Sequence, residues 1–224
     1  ARAFIKVVPT EESRGFFLAE GYEGENEMRK NLAARAVSKY LAGLVMVALL
    51  LFVPAGSLAY PNGWLFISLL FIPMLVLGLV LLFKAPELLE KRLNAKEEQG
   101  EQQKVVGLSA LLFLAGFVIA ALDFRYSWSQ LPGWLVLAAS AVLLLSYGMY
   151  AEVMRENAYL SRTVEIQENQ KVIDTGLYGI IRHPMYTSTI LLFLSIPLVL
   201  GSGIAFLLFL AYPILIAKRI RNEE

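Results

Sequence analysis

The residues best suited to chemistry stand near the C-terminal end, where residues 182–186 read Arg-His-Pro-Met-Tyr at the start of an apolar stretch. Proline is favoured at the first position of a helix, because its missing N–H would have no partner there. The free N–H groups of that first turn and the Arg182 guanidinium are suited to hold an anion. Tyr178 and Tyr186 offer flat rings to a heterocycle or a sulfonium cation. The alternative is an interfacial helix start with a snorkelling arginine.

A second polar pair follows the last apolar stretch. Arg219 and Glu223 are four residues apart, which places them on one face of a helix. By itself this pair is more typical of a basic membrane anchor with a surface ion pair. The sequence contains a single histidine, His183, and no cysteine. Disulfides and thiolate metal sites are therefore excluded, and we expect no metal site.

The elements that must position these residues are predicted to be membrane-spanning helices. Apolar residues make up 57% of the 224 residues and charged residues only 17%, whereas soluble domains have about a quarter charged. A spanning helix needs roughly 20 mostly apolar residues. Four stretches are clear candidates, namely Leu41–Tyr60, Trp64–Phe83, Val105–Leu122 and Trp134–Val153, and two shorter ones follow at Pro184–Leu200 and Ile204–Ala217. The sequence therefore predicts an all-α polytopic integral membrane bundle that ends in a helical hairpin.

Basic residues are concentrated on one side of this predicted bundle. One side holds Arg29, Lys30, Arg35, Lys39, Lys84, Lys91, Arg92, Lys96, Lys104, Arg155, Arg162, Lys171, Arg182, Lys218, Arg219 and Arg221. The turns on the opposite side hold only Arg125. Because basic residues favour the cytosolic side, we expect both termini and the working site to be cytosolic, in a membrane such as the bacterial inner membrane.

Three regions are predicted along the chain. Residues 1–27 form a soluble lead-in, residues 28–156 form four spans with a cytosolic loop at 84–104, and residues 157–224 form the catalytic core. Within the loop, residues 85–93 predict a short amphipathic helix with a proline in its first turn, lying on the membrane surface or gating a substrate. Asp123–Trp128 predicts an interfacial aromatic belt, with a ligand-contacting loop as the alternative.

The C-terminal motifs together resemble those of a known family. They are a Gly-Leu-Tyr sequence at 176–178, the Arg-His-Pro-Met-Tyr run, a two-helix hairpin and an Arg-x-x-x-Glu at its exit. They resemble the isoprenylcysteine carboxyl methyltransferase family and the related phospholipid N-methyltransferases, specifically over about residues 157–224. The resemblance implies a membrane-embedded methyltransferase that uses S-adenosylmethionine and methylates the carboxylate of an isoprenylcysteine-like or other lipophilic acceptor arriving from the bilayer. No Gly-x-Gly-x-x-Gly motif follows a strand, and no nucleic-acid partner is expected.

The resemblance also implies roles for individual residues. Those expected to bind the cofactor are Gln170, Lys171, Val172, Ile173, Tyr178, Arg182, His183, Pro184, Met185, Tyr186 and Glu223. Arg219 is expected to hold the acceptor's carboxylate, and His183 to assist proton removal if the acceptor is an amine. Glu165 or Gln167 matches a further cofactor contact only loosely.

Three other functions remain open on the sequence. The first is a phospholipid N-methyltransferase. The second is an NADPH-dependent sterol-type reductase, although such enzymes are usually longer. The third is a transporter or scaffold without enzymatic activity, which the absence of repeats and of mid-membrane charges disfavours.

Overall fold

A computed structural model describes residues 11–94, 100–156 and 174–223 of the chain. The described residues contain no strand, in agreement with the predicted all-α class. Within these described ranges, a 3-10 turn at Gly176–Gly179 accompanies eight α-helices: α1 (Glu11–Ala55), α2 (Pro61–Lys84), α3 (Pro86–Asn94), α4 (Gly100–Tyr126), α5 (Gly133–Glu156), α6 (Pro184–Val199), α7 (Gly203–Phe209) and α8 (Tyr212–Glu223).

The helices confirm a polytopic membrane bundle. Within the described residues, five segments are long and apolar enough to cross a bilayer: Glu27–Ala55, Pro61–Lys84, Gln103–Tyr126, Gly133–Glu156 and Gly203–Arg221. The remaining predicted span is α6, whose 16 residues extend only about 24 Å. The first span ends at Ala55 and not at Tyr60, because Gly56 adopts a left-handed φ of +66° that ends the helix.

The outer surface of the bundle is apolar, as a lipid environment requires. Leu137, Leu145 and Leu207 are 70%, 69% and 68% exposed. Such a surface would promote association in water, whereas lipid tails solvate it without penalty. The interior is formed by a cluster contributed by α1, α2, α4, α5, α6 and α7, with Phe66 and Phe209 almost fully buried. The chain is therefore an integral membrane protein with a narrow packed core.

One end of the bundle is held by a buried carboxyl group. Asp123, only 1% exposed, accepts hydrogen bonds from the Ser129 backbone N–H (2.6 Å), the Ser129 hydroxyl (2.5 Å) and the Ser202 hydroxyl (2.5 Å). Ser202 Oγ also accepts from the Ala205 N–H (3.0 Å) and caps α7, while the Gly203 N–H donates to Ser129 Oγ (2.9 Å). These contacts, the Asp123 network, fix the turn between α6 and α7 against the end of α4.

The same turn is tied to the start of α2. The Tyr60 hydroxyl, fully buried, donates to the Leu200 carbonyl at 2.7 Å. Gly201 takes a left-handed φ of +79°, and a Cβ there would lie 2.4 Å from Asn62 Nδ2. The left-handed conformation favours glycine at this position, and a Cβ would also force the end of the Asn62 side chain to move.

The last span is interrupted, which the sequence prediction of one helix over Ile204–Ala217 did not include. Helix α7 ends at Phe209 and α8 begins at Tyr212. Pro213 has no N–H to donate to the carbonyl four residues before it, so the helical ladder breaks ahead of it. The Ala211 N–H instead bonds the Leu208 carbonyl at 3.2 Å. This break sets the direction in which α8 carries its polar end.

Candidate functional site

The approach to α6 is a compact turn held by the end of α5. The Thr175 hydroxyl donates to Glu156 Oε2 at 2.7 Å, and the Arg155 guanidinium pairs with Glu156 Oε1 at 2.6 Å. Gly176 has a φ of +55°, and a Cβ there would lie 3.0 Å from the Glu156 carboxyl carbon. The glycine of the Gly-Leu-Tyr sequence therefore allows the chain to pass close to α5 and places Tyr178 on the 3-10 turn.

Helix α6 begins as predicted at the His183-Pro184 step. His183 is the N-cap residue, with φ −127° and ψ 67°, and Pro184 is the first helical residue. The Pro184 ring is almost fully buried, whereas Arg182 is exposed and His183 is half-buried. The His183 carbonyl accepts from the Thr187 N–H at 3.0 Å. The side chain of His183 makes no capping bond, so it does not compete with a ligand for the first N–H groups.

Two candidate residues from separate helices meet at this end of the bundle. Arg219 Nε of α8 donates to the Tyr186 hydroxyl of α6 at 3.1 Å. Its guanidinium carbon lies 5.9 Å from the centroid of the same ring. The His183 ring lies 6.0 Å from the Tyr186 ring, centroid to centroid. The structure therefore brings together His183, Tyr186 and Arg219, three of the residues predicted for the site.

An apolar floor supports this tyrosine–arginine pair. Tyr186 is 7% exposed and packs in a cluster with Leu112, Tyr212 and Ile216. Met185, another predicted contact, is half-buried against the same cluster. Because the Tyr186 ring is enclosed by α4 and α8, its position is fixed before any ligand arrives.

Some predicted residues cannot be placed in this geometry. Gln170, Lys171, Val172 and Ile173 lie outside the described residues, as do Glu165 and Gln167. Glu223 belongs to the last turn of α8, but its side chain is not among those described. Their predicted roles stay predictions.

The structure adds residues that the sequence reasoning did not select. Arg92 of α3 donates to the Tyr150 hydroxyl of α5 through both terminal nitrogens, at 3.0 and 2.7 Å, and through Nε to Met154 Sδ at 3.1 Å. The sequence had indicated Arg92 only as a cytosolic charge, and no local pattern points from it to α5.

The predicted amphipathic helix is present as α3, and it packs into the bundle. Leu89, 7% exposed, contacts a small cluster with Leu32 of α1 and Leu81 of α2. Arg92 then bridges the opposite side to α5. The helix therefore joins the first two spans to the region of the site.

The C-terminal part of the chain matches a known protein family. Residues 134–224 match the sequence model of the Isoprenylcysteine carboxyl methyltransferase (ICMT) family. Neither the curated proteins nor the solved structures that were searched gave a match. The matched region contains α5 from its second residue, α6 to α8, and every candidate residue from Gln170 to Glu223. The match over residues 134–224 supports, in general terms, a methyltransferase embedded in the membrane.

Proposed function

We propose that the protein transfers a methyl group from S-adenosylmethionine to the carboxylate of an isoprenylcysteine-like or other lipophilic acceptor. The observation that carries the proposal is the contact between Tyr186 and Arg219 beside the first turn of α6. It joins an enclosed aromatic ring to a guanidinium within the region that matches the family.

The residues at the start of α6 suit the chemical groups of this methyl donor. The donor carries a carboxylate, an aromatic base and a sulfonium cation. The N–H groups of the first turn favour a carboxylate, and Arg182 adds a positive charge beside them. The enclosed Tyr186 ring offers a face for the cation, with a stabilisation of about 0.5–2 kcal/mol. Tyr178, half-buried on the 3-10 turn, is a second flat surface.

Methyl transfer to a carboxylate needs little from the protein beyond position and charge. Bound S-adenosylmethionine supplies an activated methyl group; a C–O bond forms as the C–S bond breaks, and the electron pair remains on sulfur. No proton moves, so no general base is needed. Holding two reactants in line contributes roughly 7–11 kcal/mol in favourable cases.

Arg219 is the residue that favours a carboxylate acceptor. A guanidinium presents paired donors that match a carboxylate. The hydrogen bond from Arg219 Nε to the Tyr186 hydroxyl fixes the orientation of this guanidinium. An amine acceptor would gain nothing from this charge and would need a base such as His183 to remove its proton. We therefore place phospholipid N-methylation second, and the family match gives no support to a reductase, a transporter or a scaffold.

We also propose that this end of the bundle faces the cytosol, following the distribution of basic residues. The cysteine-free sequence makes the test direct. In intact cells, a membrane-impermeant maleimide should label Gln130→Cys, near the Asp123 network, and should label Lys91→Cys of α3 only after lysis. The reverse pattern would overturn the orientation.

The first experiment is calorimetric titration of the detergent-purified protein with S-adenosylmethionine. Tyr186→Ala should weaken binding about tenfold, because the enclosed ring is lost. Tyr126→Ala is the matched control, since this exposed ring stands at the other end of the bundle, and it should bind like the parent protein. If the folded protein binds NADPH and not S-adenosylmethionine, the methyltransferase proposal is wrong.

A further inference from the structure

One enclosed tyrosine differs from the others in the bundle in the state of its hydroxyl. The hydroxyls of Tyr60 and Tyr147 donate to backbone carbonyl groups, and that of Tyr186 accepts from Arg219 Nε. Tyr212 is only 4% exposed, yet its hydroxyl makes no hydrogen bond to any residue that the structure describes. An enclosed hydroxyl without a partner is destabilising, and native proteins supply partners for nearly all such groups. The partner of Tyr212 is therefore to be sought in a ligand or a water molecule.

The position of Tyr212 follows from the break in the last span. It is the first residue of α8, and Pro213 directly after it prevents α7 from continuing through this point. Its ring packs edge-on against Phe193 of α6, with the centroids 4.4 Å apart and the ring planes at 60°. Leu112 of α4 and Ile216 of α8 belong to the same cluster. The ring is thus held between three helices, which restricts the positions that its hydroxyl can take.

The same cluster connects Tyr212 to the candidate site. It includes Tyr186, which bonds Arg219. Tyr212, Ile216 and Arg219 are spaced by four and three residues, so they lie on one face of α8. Seven residues of helix separate Tyr212 from Arg219, which is about 10 Å along the axis. The hydroxyl therefore belongs to the same side of α8 as the guanidinium and lies nearer the middle of the span.

A hydroxyl and a guanidinium on one face favour a ligand group that accepts hydrogen bonds. A guanidinium has donors only, and a phenol has one O–H to donate. Carboxylate oxygens accept from both kinds of donor, and bonds to a charged oxygen are the strong ones. Among apolar neighbours such as Leu112 and Phe193, water competes little for such a bond. A sulfonium or ammonium cation has no lone pair to accept from either group.

We propose that the Tyr212 hydroxyl donates a hydrogen bond to the carboxylate of the lipophilic acceptor, as a second binding group beside Arg219. The inference rests on the proposed function for the identity of the acceptor. The acceptor enters from the bilayer and so reaches the deeper hydroxyl, whereas the carboxylate of the methyl donor is assigned to the first turn of α6. One carboxylate oxygen accepts from Tyr212 and the other attacks the methyl group. The hydroxyl keeps its proton throughout.

The first test measures stability in the absence of ligands. Tyr212→Phe deletes a hydroxyl that has no partner, so it should raise the melting temperature of the detergent-purified protein by roughly 2–4 °C. Tyr60→Phe is the matched control, because it deletes an enclosed hydroxyl that donates to the Leu200 carbonyl at 2.7 Å. That control should lower the melting temperature by a similar amount. A lower melting temperature in Tyr212→Phe would show that a permanent partner such as ordered water already satisfies the hydroxyl, and would overturn the inference.

The second test compares an acid with an analogue that lacks the carboxylate. N-acetyl-S-farnesylcysteine and N-acetyl-S-farnesylcysteamine are titrated calorimetrically into nanodisc-embedded protein without methyl donor. Tyr212→Phe should weaken binding of the acid about tenfold and leave binding of the cysteamine compound nearly unchanged, because only the acid offers a charged acceptor. Tyr60→Phe should change neither affinity. An equal loss for both ligands would show that the substitution only disturbs packing, and would overturn the assignment.

Binding of the methyl donor separates this inference from the proposed function. S-adenosylmethionine affinity should be the same in Tyr212→Phe and the parent protein. A selective loss of that affinity would assign the hydroxyl to the methyl donor and overturn the inference, with methyl transfer still standing. Unchanged binding of the acid in Tyr212→Phe, with S-adenosylmethionine binding retained, would have the same meaning. Acid binding that depends on Tyr212 in a protein that does not bind S-adenosylmethionine would reject the methyltransferase and retain the carboxylate site.

Discussion

The polar side chains at the two ends of the bundle have different hydrogen-bond partners. At one end, the Asp123 carboxyl group receives three hydrogen bonds from Ser129 and Ser202 and is 1% exposed. At the other, Arg219 meets the hydroxyl and the ring of Tyr186. A carboxyl group with three donors around it is satisfied by the protein itself. The Arg219 guanidinium instead contacts a neutral phenol from another helix.

The two ends are linked by the same pair of elements. Helix α6 runs from the His183 end to the turn that Ser202 closes, and α7 with α8 returns to Arg219. The Asp123 network therefore fixes the hairpin that carries Tyr186 and Arg219. We infer that the Asp123 end holds the hairpin in position and that the Tyr186–Arg219 end binds ligands. Four predictions test this division of roles.

The largest effect is expected on stability, at the end of the bundle that contains the Asp123 network. Asp123→Ala leaves the donors of Ser129 and Ser202 without their acceptor in a buried turn, which should lower the free energy of unfolding by roughly 3 kcal/mol or more. Thermal unfolding of the detergent-purified variant measures this. The S-adenosylmethionine affinity of the fraction that remains folded should be unchanged; a selective loss of affinity at full stability would contradict the division.

The second effect concerns chemistry and not stability. Arg219→Gln should lower kcat/KM for a carboxylate acceptor about 100-fold, because a positioned donor to the reacting carboxylate is lost. Transfer of labelled methyl groups to N-acetyl-S-farnesylcysteine measures it. Arg221→Gln, an exposed residue two positions along the same helix, is the matched control and should retain activity. Similar losses in both variants would indicate that α8 contributes only general charge.

A smaller effect should follow from the turn between α6 and α7. Gly201→Ala imposes a left-handed conformation on a residue with a Cβ, which costs about 1–2 kcal/mol, and it drives that Cβ toward Asn62. Comparing the melting temperatures of Gly201→Ala, Asn62→Ala and the double variant separates the two costs. The double variant should recover only the steric part; full recovery would show that the backbone conformation is unimportant.

The smallest effect is expected from removing the Tyr186 hydroxyl at the end of the bundle that contains Arg219. Tyr186→Phe keeps the ring but loses the acceptor for Arg219 Nε, so KM for the acceptor should rise about fivefold, equivalent to roughly 1 kcal/mol. S-adenosylmethionine affinity should be unchanged because the aromatic face remains. Tyr147→Phe loses a comparable hydrogen bond to the Leu70 carbonyl and should leave KM as it is. Steady-state kinetics at saturating methyl donor compare the two variants.

The features of the site that depend on neighbouring residues in the chain could be predicted from the sequence. The helix start at Pro184 follows from the proline and its neighbours, and the structure places it there. Pro213 likewise indicates the break before α8, but the sequence prediction of one continuous span did not take this proline into account. The end of α1 at Gly56 is another local signal that hydrophobicity alone concealed.

What the sequence by itself determined is the membrane class, the succession of apolar helices and the group of motifs near the C-terminus, because each depends on residues close together in the chain. The tertiary structure decided which of those residues meet. Arg219 bonds Tyr186 across 33 positions, Arg92 bonds Tyr150 across 58, and Ser202 bonds Asp123 across 79. Such contacts depend on the rotation and register of packed helices, and hydrophobic patterns in a membrane leave both undetermined because lipid solvates every apolar face alike.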